Sequence, residues 1–365
     1  MIIPRLDSLV LMGQLKMWQD RLEKELKEHR LRYLFWETTR ACNLRCRHCG
    51  SDCTTAKPGE LTTDEIKAAF RSIASDFDAP SIMVAVTGGE PLLRKDLFGV
   101  MGYASGLGFK WGMVTNGMLV DAEVVEKCRQ AGMSTVTVSV DGLKEAHEYI
   151  RKGGSFDRTM EALKLFKDSG YFSVVQATTC VSQYNIGDLP GLYELFSGLG
   201  IDEWRMLTVN RIGRAKEDPK FALRPLQLRS LLNFIAERRR EKGLRTTFEE
   251  EGFLGVEFEG KVRDALFYCP AGINIASILA NGDIGACPNL PPEFVQGNVR
   301  KDRFKDVWES GYHNMRFLEW KRRGPCVRCD WWEFCRGNSM HLWDFKADMP
   351  SMCHLQVLEE SKHEQ

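Results

Sequence analysis

The chain has 365 residues, 43% of them hydrophobic, with 50 lysines and arginines against 50 aspartates and glutamates. That length suits one large α/β domain plus a smaller one, and formal neutrality argues against a basic nucleic-acid-binding field. The longest apolar runs, such as Ile82 to Val86, are strand-sized and too short to span a membrane.

The first residues, Met1-Ile2-Ile3-Pro4-Arg5-Leu6-Asp7, lack the apolar core of a signal peptide, and the expected location is the cytoplasm. Residues 7 to about 31 place Leu9, Met12, Leu15, Trp18, Leu22 and Leu26 at helical spacing with charges between them. This predicts an amphipathic N-terminal helix, segment 1–32, that packs on the main domain or docks a partner. From residue 33 short β-branched runs alternate with amphipathic stretches. Strands are expected at 33–38, 82–87, 110–115, 135–140, 172–181 and 203–208, with helices near 62–77, 95–107, 121–131, 155–169 and 187–199. Thr62 and Glu65 form a capping-box pattern at the first of these helices. Such alternation implies a parallel sheet with right-handed crossovers, open or curled into a partial barrel, whose ligands sit at the carboxyl ends of the strands.

A further helix is expected from Pro225 to about Lys242, followed by the acidic stretch Glu249-Glu250-Glu251-Gly252 and a cysteine-rich end. The domains expected are therefore 33–235 for the core and 236–365 for the C-terminal part. Ten of the twelve cysteines fall in residues 42–53 and 269–353, which in a reducing compartment points to metal or redox chemistry. The others, Cys128 and Cys180, are expected as small buried hydrophobes.

The chemically distinctive residues follow the strands. After the first comes Cys42-Asn43-Leu44-Arg45-Cys46-Arg47-His48-Cys49, three thiols in one loop. Three ligands on a four-iron cube leave one iron open to a substrate or cofactor; a zinc knuckle completed by Cys53 is the alternative. After the second strand Gly88-Gly89-Glu90 provides backbone free of side chains, open to close ligand approach, and a carboxylate that can receive an ammonium or start a helix. Thr115-Asn116-Gly117 and Ser139-Val140-Asp141 offer hydroxyl, amide and carboxylate groups for a ribose or a carboxylate, or serve as turns. Arg151 can meet a carboxylate or remain solvated.

Taken together over about residues 33–215, these motifs resemble the radical S-adenosylmethionine (SAM) enzymes. The resemblance implies a partial (β/α)6 TIM-like barrel with a [4Fe-4S] cluster on Cys42, Cys46 and Cys49, its fourth iron chelated by SAM. It places Gly88, Gly89 and Glu90 by the methionyl amine and Ser139 and Asp141 by the ribose, with Arg151 a candidate for the carboxylate and Asn116 among the SAM contacts. Reduction by a donor such as flavodoxin or ferredoxin would cleave SAM to a 5′-deoxyadenosyl radical that abstracts hydrogen from substrate.

Cys269, Gly282, Cys287, Cys326, Cys329, Cys335 and Cys353 resemble the SPASM extension of that family, which implies auxiliary clusters in a small C-terminal domain. Cys326, Cys329, Cys335 and Cys353 look like one complete set, for which zinc is the competing metal. Ser339 stands where a ligand of a further cluster is expected, leaving it Cys269 and Cys287. That cluster is then incompletely ligated, completed by Asp344 or His341, or missing; in the shorter twitch variant Cys269, Cys287, Cys326 and Cys329 would share a single cluster. The aromatic stretch Trp331-Trp332-Glu333-Phe334 with Met340 to Trp343 is expected to keep water from a cluster or to form a peptide groove. The substrate expected is a peptide or protein, and stretches around residues 33–37, 46–53 and 337–342 resemble a lipoprotein-paired subgroup. The alternatives are a small molecule such as a tetrapyrrole and a non-enzymatic zinc-binding interaction protein.

Overall fold

The computed structural model describes residues 6–249 and 252–363, with side chains from residue 13 onward. Helix α1 (Leu6–Glu28) buries Leu15, Trp18 and Leu22; Leu9 and Met12, expected on the same face, lie outside the described side chains. The helix packs on this chain's own C-terminal part: Trp18 meets Tyr268 at 5.5 Å and Glu25 accepts from Asn274 Nδ2 at 2.8 Å.

Six strands follow the predicted series: β1 (Tyr33–Glu37), β2 (Met83–Thr87), β3 (Lys110–Thr115), β4 (Thr135–Ser139), β5 (Val174–Val181) and β6 (Glu203–Thr208). The crossovers are α2 (Thr63–Asp76), α3 (Leu97–Gly106), α4 (Ala122–Gln130), α5 (Lys144–Ile150) with α6 (Ser155–Asp168), and α7 (Leu189–Leu199). Short α5 is additional to the predicted set. After α8 (Pro225–Arg238), β7 (Arg245–Phe248) and β8 (Ile275–Ile278) add parallel strands beside β6 and β1, and β9 (Asp283–Gly285) and β10 (Gly297–Asn298) continue antiparallel. The order β10-β9-β8-β1-β2-β3-β4-β5-β6-β7 is open. Beyond the six expected strands, then, residues after 238 supply both edges, and the expected boundary at 235/236 falls inside α8. β7 and β8 have only four residues each and are buried at three successive positions rather than alternating, so they carry no period of two. No helix among the described residues is long and apolar enough to cross a membrane.

The sheet's two faces differ. Trp36, Val84, Val86, Trp111, Val136, Val138, Trp204 and Phe248 are fully buried under the helices, against residues such as Phe70, Leu163, Phe196 and Leu231. Successive strand residues point to opposite faces, so the other face carries two polar rows across paired strands. One is Thr137, Gln176 and Glu203, linked by bonds of 2.8 and 2.5 Å; the next is Ser139, Thr178, Arg205 and Thr247.

The capping box is present at α2: the Thr62 hydroxyl accepts from Glu65 N, and the Glu65 carboxylate accepts from Thr62 N at 2.8 Å. Replacing Thr62 with Ala should lower stability by about 1 kcal/mol. Urea unfolding would register this as a lower midpoint at unchanged slope.

Candidate functional site

The carboxyl ends of β1 to β5 bring the predicted residues to one rim. There the tail of β2 runs against the cysteine loop as an extension of the sheet: Gly89 N donates to Thr39 O and Glu90 N to Ala41 O, both at 2.8 Å. A Cβ on Gly88, whose φ is 145°, would lie 2.7 Å from Thr39 O; one on Gly89 would lie 2.0 Å from Ala41 O and 3.1 Å from Cys42 Cβ. The chain itself comes close on the side where the glycine pair lacks side chains, and this seats the loop.

Glu90 is buried and accepts from Thr115 Oγ1 at 2.8 Å, Asn116 N at 2.9 Å and Leu92 N at 3.2 Å. Burial pushes its carboxyl upward against these bonds. It caps the short turn Pro91–Leu93, the helix-starting use expected of this acid. Asn116 then donates from Nδ2 to Asn43 Oδ1 at 2.8 Å, within the cysteine loop. A carboxylate has about four lone-pair positions, so roughly one remains for an incoming donor.

Asp141 is fully buried and forms the second centre of the rim. Its Oδ2 meets His48 Nε2 at 2.7 Å and Arg151 Nε at 2.6 Å, while Oδ1 accepts from Cys180 N at 2.8 Å. Burial alone would raise this carboxyl, but the Arg151 and His48 charges hold it far below the usual range. Arg151 is buried too, not solvated, and its Nη1 lies 3.9 Å from Cys46 Sγ. Cys180, expected as a bland hydrophobe, borders this network; Cys128 is simply buried. His147, not singled out from sequence, accepts from Asp141 N at 3.2 Å. Asn185 and Arg214 were also missed: Asn185 Nδ2 donates to Asp141 O at 3.2 Å, and Arg214 Nε donates to Cys46 O at 2.7 Å. The residues near the motif in sequence, such as His48 inside the thiol loop, carried a usable signal; Arg214 lies 168 positions from its partner and carried none.

The sulfurs of Cys42, Cys46 and Cys49 are close enough to interact electrostatically, and burial, opposed by Arg151, pushes the Cys46 thiol up to about 11. Cys53 is pushed up to about 12 by burial and turns to Ser51 O. Two buried polar atoms of the rim, His48 Nδ1 and Thr178 Oγ1, have no hydrogen-bond partner in the structure. Thr178 is the register partner of Ser139. Orphaned polar atoms beside a three-thiol loop fit a polar ligand over a metal centre, because buried polar groups otherwise find partners.

In the C-terminal part, Cys326, Cys329, Cys335 and Cys353 line one cavity of about 500 Å³ with Trp331 and Trp332. Burial pushes Cys326 up to about 11 and Cys335 up to about 12. Asp344, one alternative ligand, is exposed and accepts from Lys346 N and Ala347 N in a turn.

A family profile of the radical SAM superfamily matches residues 36–196, and one of an iron-sulfur cluster-binding domain, SPASM, matches 269–330. An AdoMet-dependent heme synthase of Methanosarcina barkeri is 30% identical over 325 residues, 84% of this chain and 90% of that one. A mycofactocin maturase, MftC, of Mycolicibacterium smegmatis is 30% identical over 320 residues, 84% of this chain and 77% of that one. Among solved structures, anSMEcpe with bound AdoMet superposes with a TM-score of 0.70 at 18% identity, covering 91% and 95% of the two chains. Streptococcus suis SuiB follows at 0.68 and 18%, covering 87% and 76%; both likenesses concern the fold. These matches replace the reading as a non-enzymatic zinc protein. With three thiols on the β1 loop and a four-thiol cavity beyond, the chain belongs to the radical SAM superfamily, as an enzyme that binds SAM, a [4Fe-4S] cluster and auxiliary iron-sulfur through its SPASM domain.

Proposed function

We propose that Cys42, Cys46 and Cys49 hold the SAM-binding cluster and that a peptide or protein is the substrate. The observation that carries the first part is the three-thiol loop, clamped by the glycine pair and facing the orphaned polar atoms His48 Nδ1 and Thr178 Oγ1. When bound, the cluster and SAM supply a carbon radical able to remove a hydrogen atom, with the electron drawn from a flavodoxin- or ferredoxin-type donor.

The chain's own residues prepare that site. The thiols must lose protons on ligation, and the buried Arg151 guanidinium near Cys46 favours the resulting negative charge. Glu90 keeps Thr115 and Asn116 in place and retains acceptor capacity for SAM's ammonium. Asp141 fixes His48 and Arg151, so its part is orientation of their groups, with Ser139 and Thr178 offering hydroxyls to the ribose.

Two features support a peptide. The face opposite the core-packed residues carries the polar row Thr137, Gln176 and Glu203, whereas the apolar face a flat macrocycle would favour lies under helices. The mycofactocin maturase aligns over 84% of the chain. A second reading, a tetrapyrrole, is favoured by the heme synthase likeness and by a 28% identical Fe-coproporphyrin III synthase of the same organism; Arg205, with Nε buried and unpartnered, suits a carboxylate side chain.

Anaerobically reconstituted enzyme given reductant, SAM and either iron coproporphyrin III or a peptide encoded beside it should change the mass of the peptide alone. Conversion of the porphyrin instead would establish the second reading. The Cys42→Ala, Cys46→Ala, Cys49→Ala triple variant should lose SAM cleavage entirely, and persistence would remove the ligand assignment. Gly89→Ala, which forces Ala41 away, should lower iron content and SAM cleavage together while the auxiliary iron stays.

Burial first, then the Arg151 charge, pull the pKa of His147 down to about 4 from 6.5. Between these values the unfolded ring is protonated and the folded ring is not. Folding stability is therefore undiminished above pH 6.5 and falls as pH drops toward 4, by at most about 1.4 kcal/mol per unit. Urea unfolding at about pH 7 and about pH 5 should show this loss in the parent chain and a flatter profile in His147→Gln.

A further inference from the structure

The polar row Ser139, Thr178, Arg205 and Thr247 crosses β4, β5, β6 and β7 in register. The chain neighbours of Arg205, Trp204 and Met206, are fully buried in the core, which turns Arg205 to the opposite face of the sheet. Arg205 is half-buried, its Nε is shut off from water, and among the described residues its guanidinium has no hydrogen bond and no ion pair. Thr178, beside it, also has a buried hydroxyl without a partner. The carboxylates two positions from the row are engaged elsewhere. Glu203 accepts from Gln176 Nε2 at 2.5 Å and pairs with Arg245 at 3.6 Å, Asp141 is held by His48 and Arg151, and Glu249 accepts from Thr247 Oγ1 at 3.4 Å.

We propose that Arg205 anchors a carboxylate of the substrate and thereby selects it. Taking a cation out of water is costly unless a counter-charge meets it, and the described residues supply none to Arg205, so the partner arrives with the ligand. A guanidinium takes a carboxylate or a phosphate through two parallel N–H bonds. Glu203, Asp141 and Glu249 decide between them, because one cation near three acids tolerates the single charge of a carboxylate better than the double charge of a phosphate monoester. Ser139 and Arg205 stand two strands apart in one row, about 10 Å at the usual spacing. A ligand held on Arg205 therefore presents its neighbouring carbons toward the ribose side of the rim. An acidic side chain or C-terminus of a peptide and a propionate arm of a tetrapyrrole share this chemistry.

The proposal rests on Cys42, Cys46 and Cys49 holding the SAM-binding cluster with Ser139 by the ribose; failure of that reading shows separately, as SAM cleavage by the triple cysteine variant. In crystals of the SAM-loaded holoenzyme, soaked 4-bromobenzoate should set its carboxylate on Arg205, with a bromine anomalous peak beyond it that Arg205→Gln removes. No peak there in the parent chain, or one that survives the substitution, would overturn the proposal whatever the substrate is. Turnover of the peptide encoded beside the gene and of iron coproporphyrin III, each also as its methyl ester, identifies the source. For the probe that is converted, Arg205→Gln should raise KM about 10- to 100-fold with little change in kcat, and Arg205→Lys should recover part of it. Esterification should cost the parent chain a similar factor and add nothing in Arg205→Gln. Iron content equal to the parent's marks each variant as folded and loaded. An unchanged KM for the probe, or a rise in KM for SAM alone, would assign the guanidinium elsewhere and sink the idea.

Discussion

The rim depends on one backbone contact, the pairing of Gly89 and Glu90 with Thr39 and Ala41. Two amide hydrogen bonds make it, and the absence of two Cβ atoms permits it. Because β1 and β2 are already parallel neighbours, the contact continues the sheet past its last side-chain row, and it seats the cysteine loop at the carboxyl end of the sheet. Everything reaching that loop from β3 and β4, through Asn116 and Arg151, relies on its being there.

A second constraint is electrostatic. Asp141 is a fully buried carboxylate, and such a charge is costly unless paired and hydrogen-bonded. Here it meets a guanidinium, an imidazole and a backbone amide. The arrangement places a cation beside Cys46 without exposing it to water, where it would be screened. His147, kept neutral, adds no competing charge.

Much of this was legible in order along the chain. The alternation of β-branched runs with amphipathic stretches located all six first strands, since each buries an apolar face under helices. The thiols, the glycine pair, Asn116, Ser139 and Asp141 were visible because they sit directly after strands. What was not legible is pairing across distance. Arg151 as the partner of Asp141, Cys180 N as its third donor and Arg214 on Cys46 O depend on the sheet bringing residues together. The four-residue strands β7 and β8 carried too little pattern to announce themselves, and the glycines' close packing against the loop cannot be told from a turn in a linear string.

The Arg214 clamp ties the thiol loop to a distant part of the chain. The three thiols lie at residues 42 to 49, yet the loop that carries them is tied by Arg214, which reaches Cys46 O and Asp52. Asn289 adds a still later tie, accepting from Ser51 at 2.9 Å. The thiol loop therefore owes its shape to a residue that follows β6. The shape of this loop is thus set by side chains far along the chain as well as by its own residues.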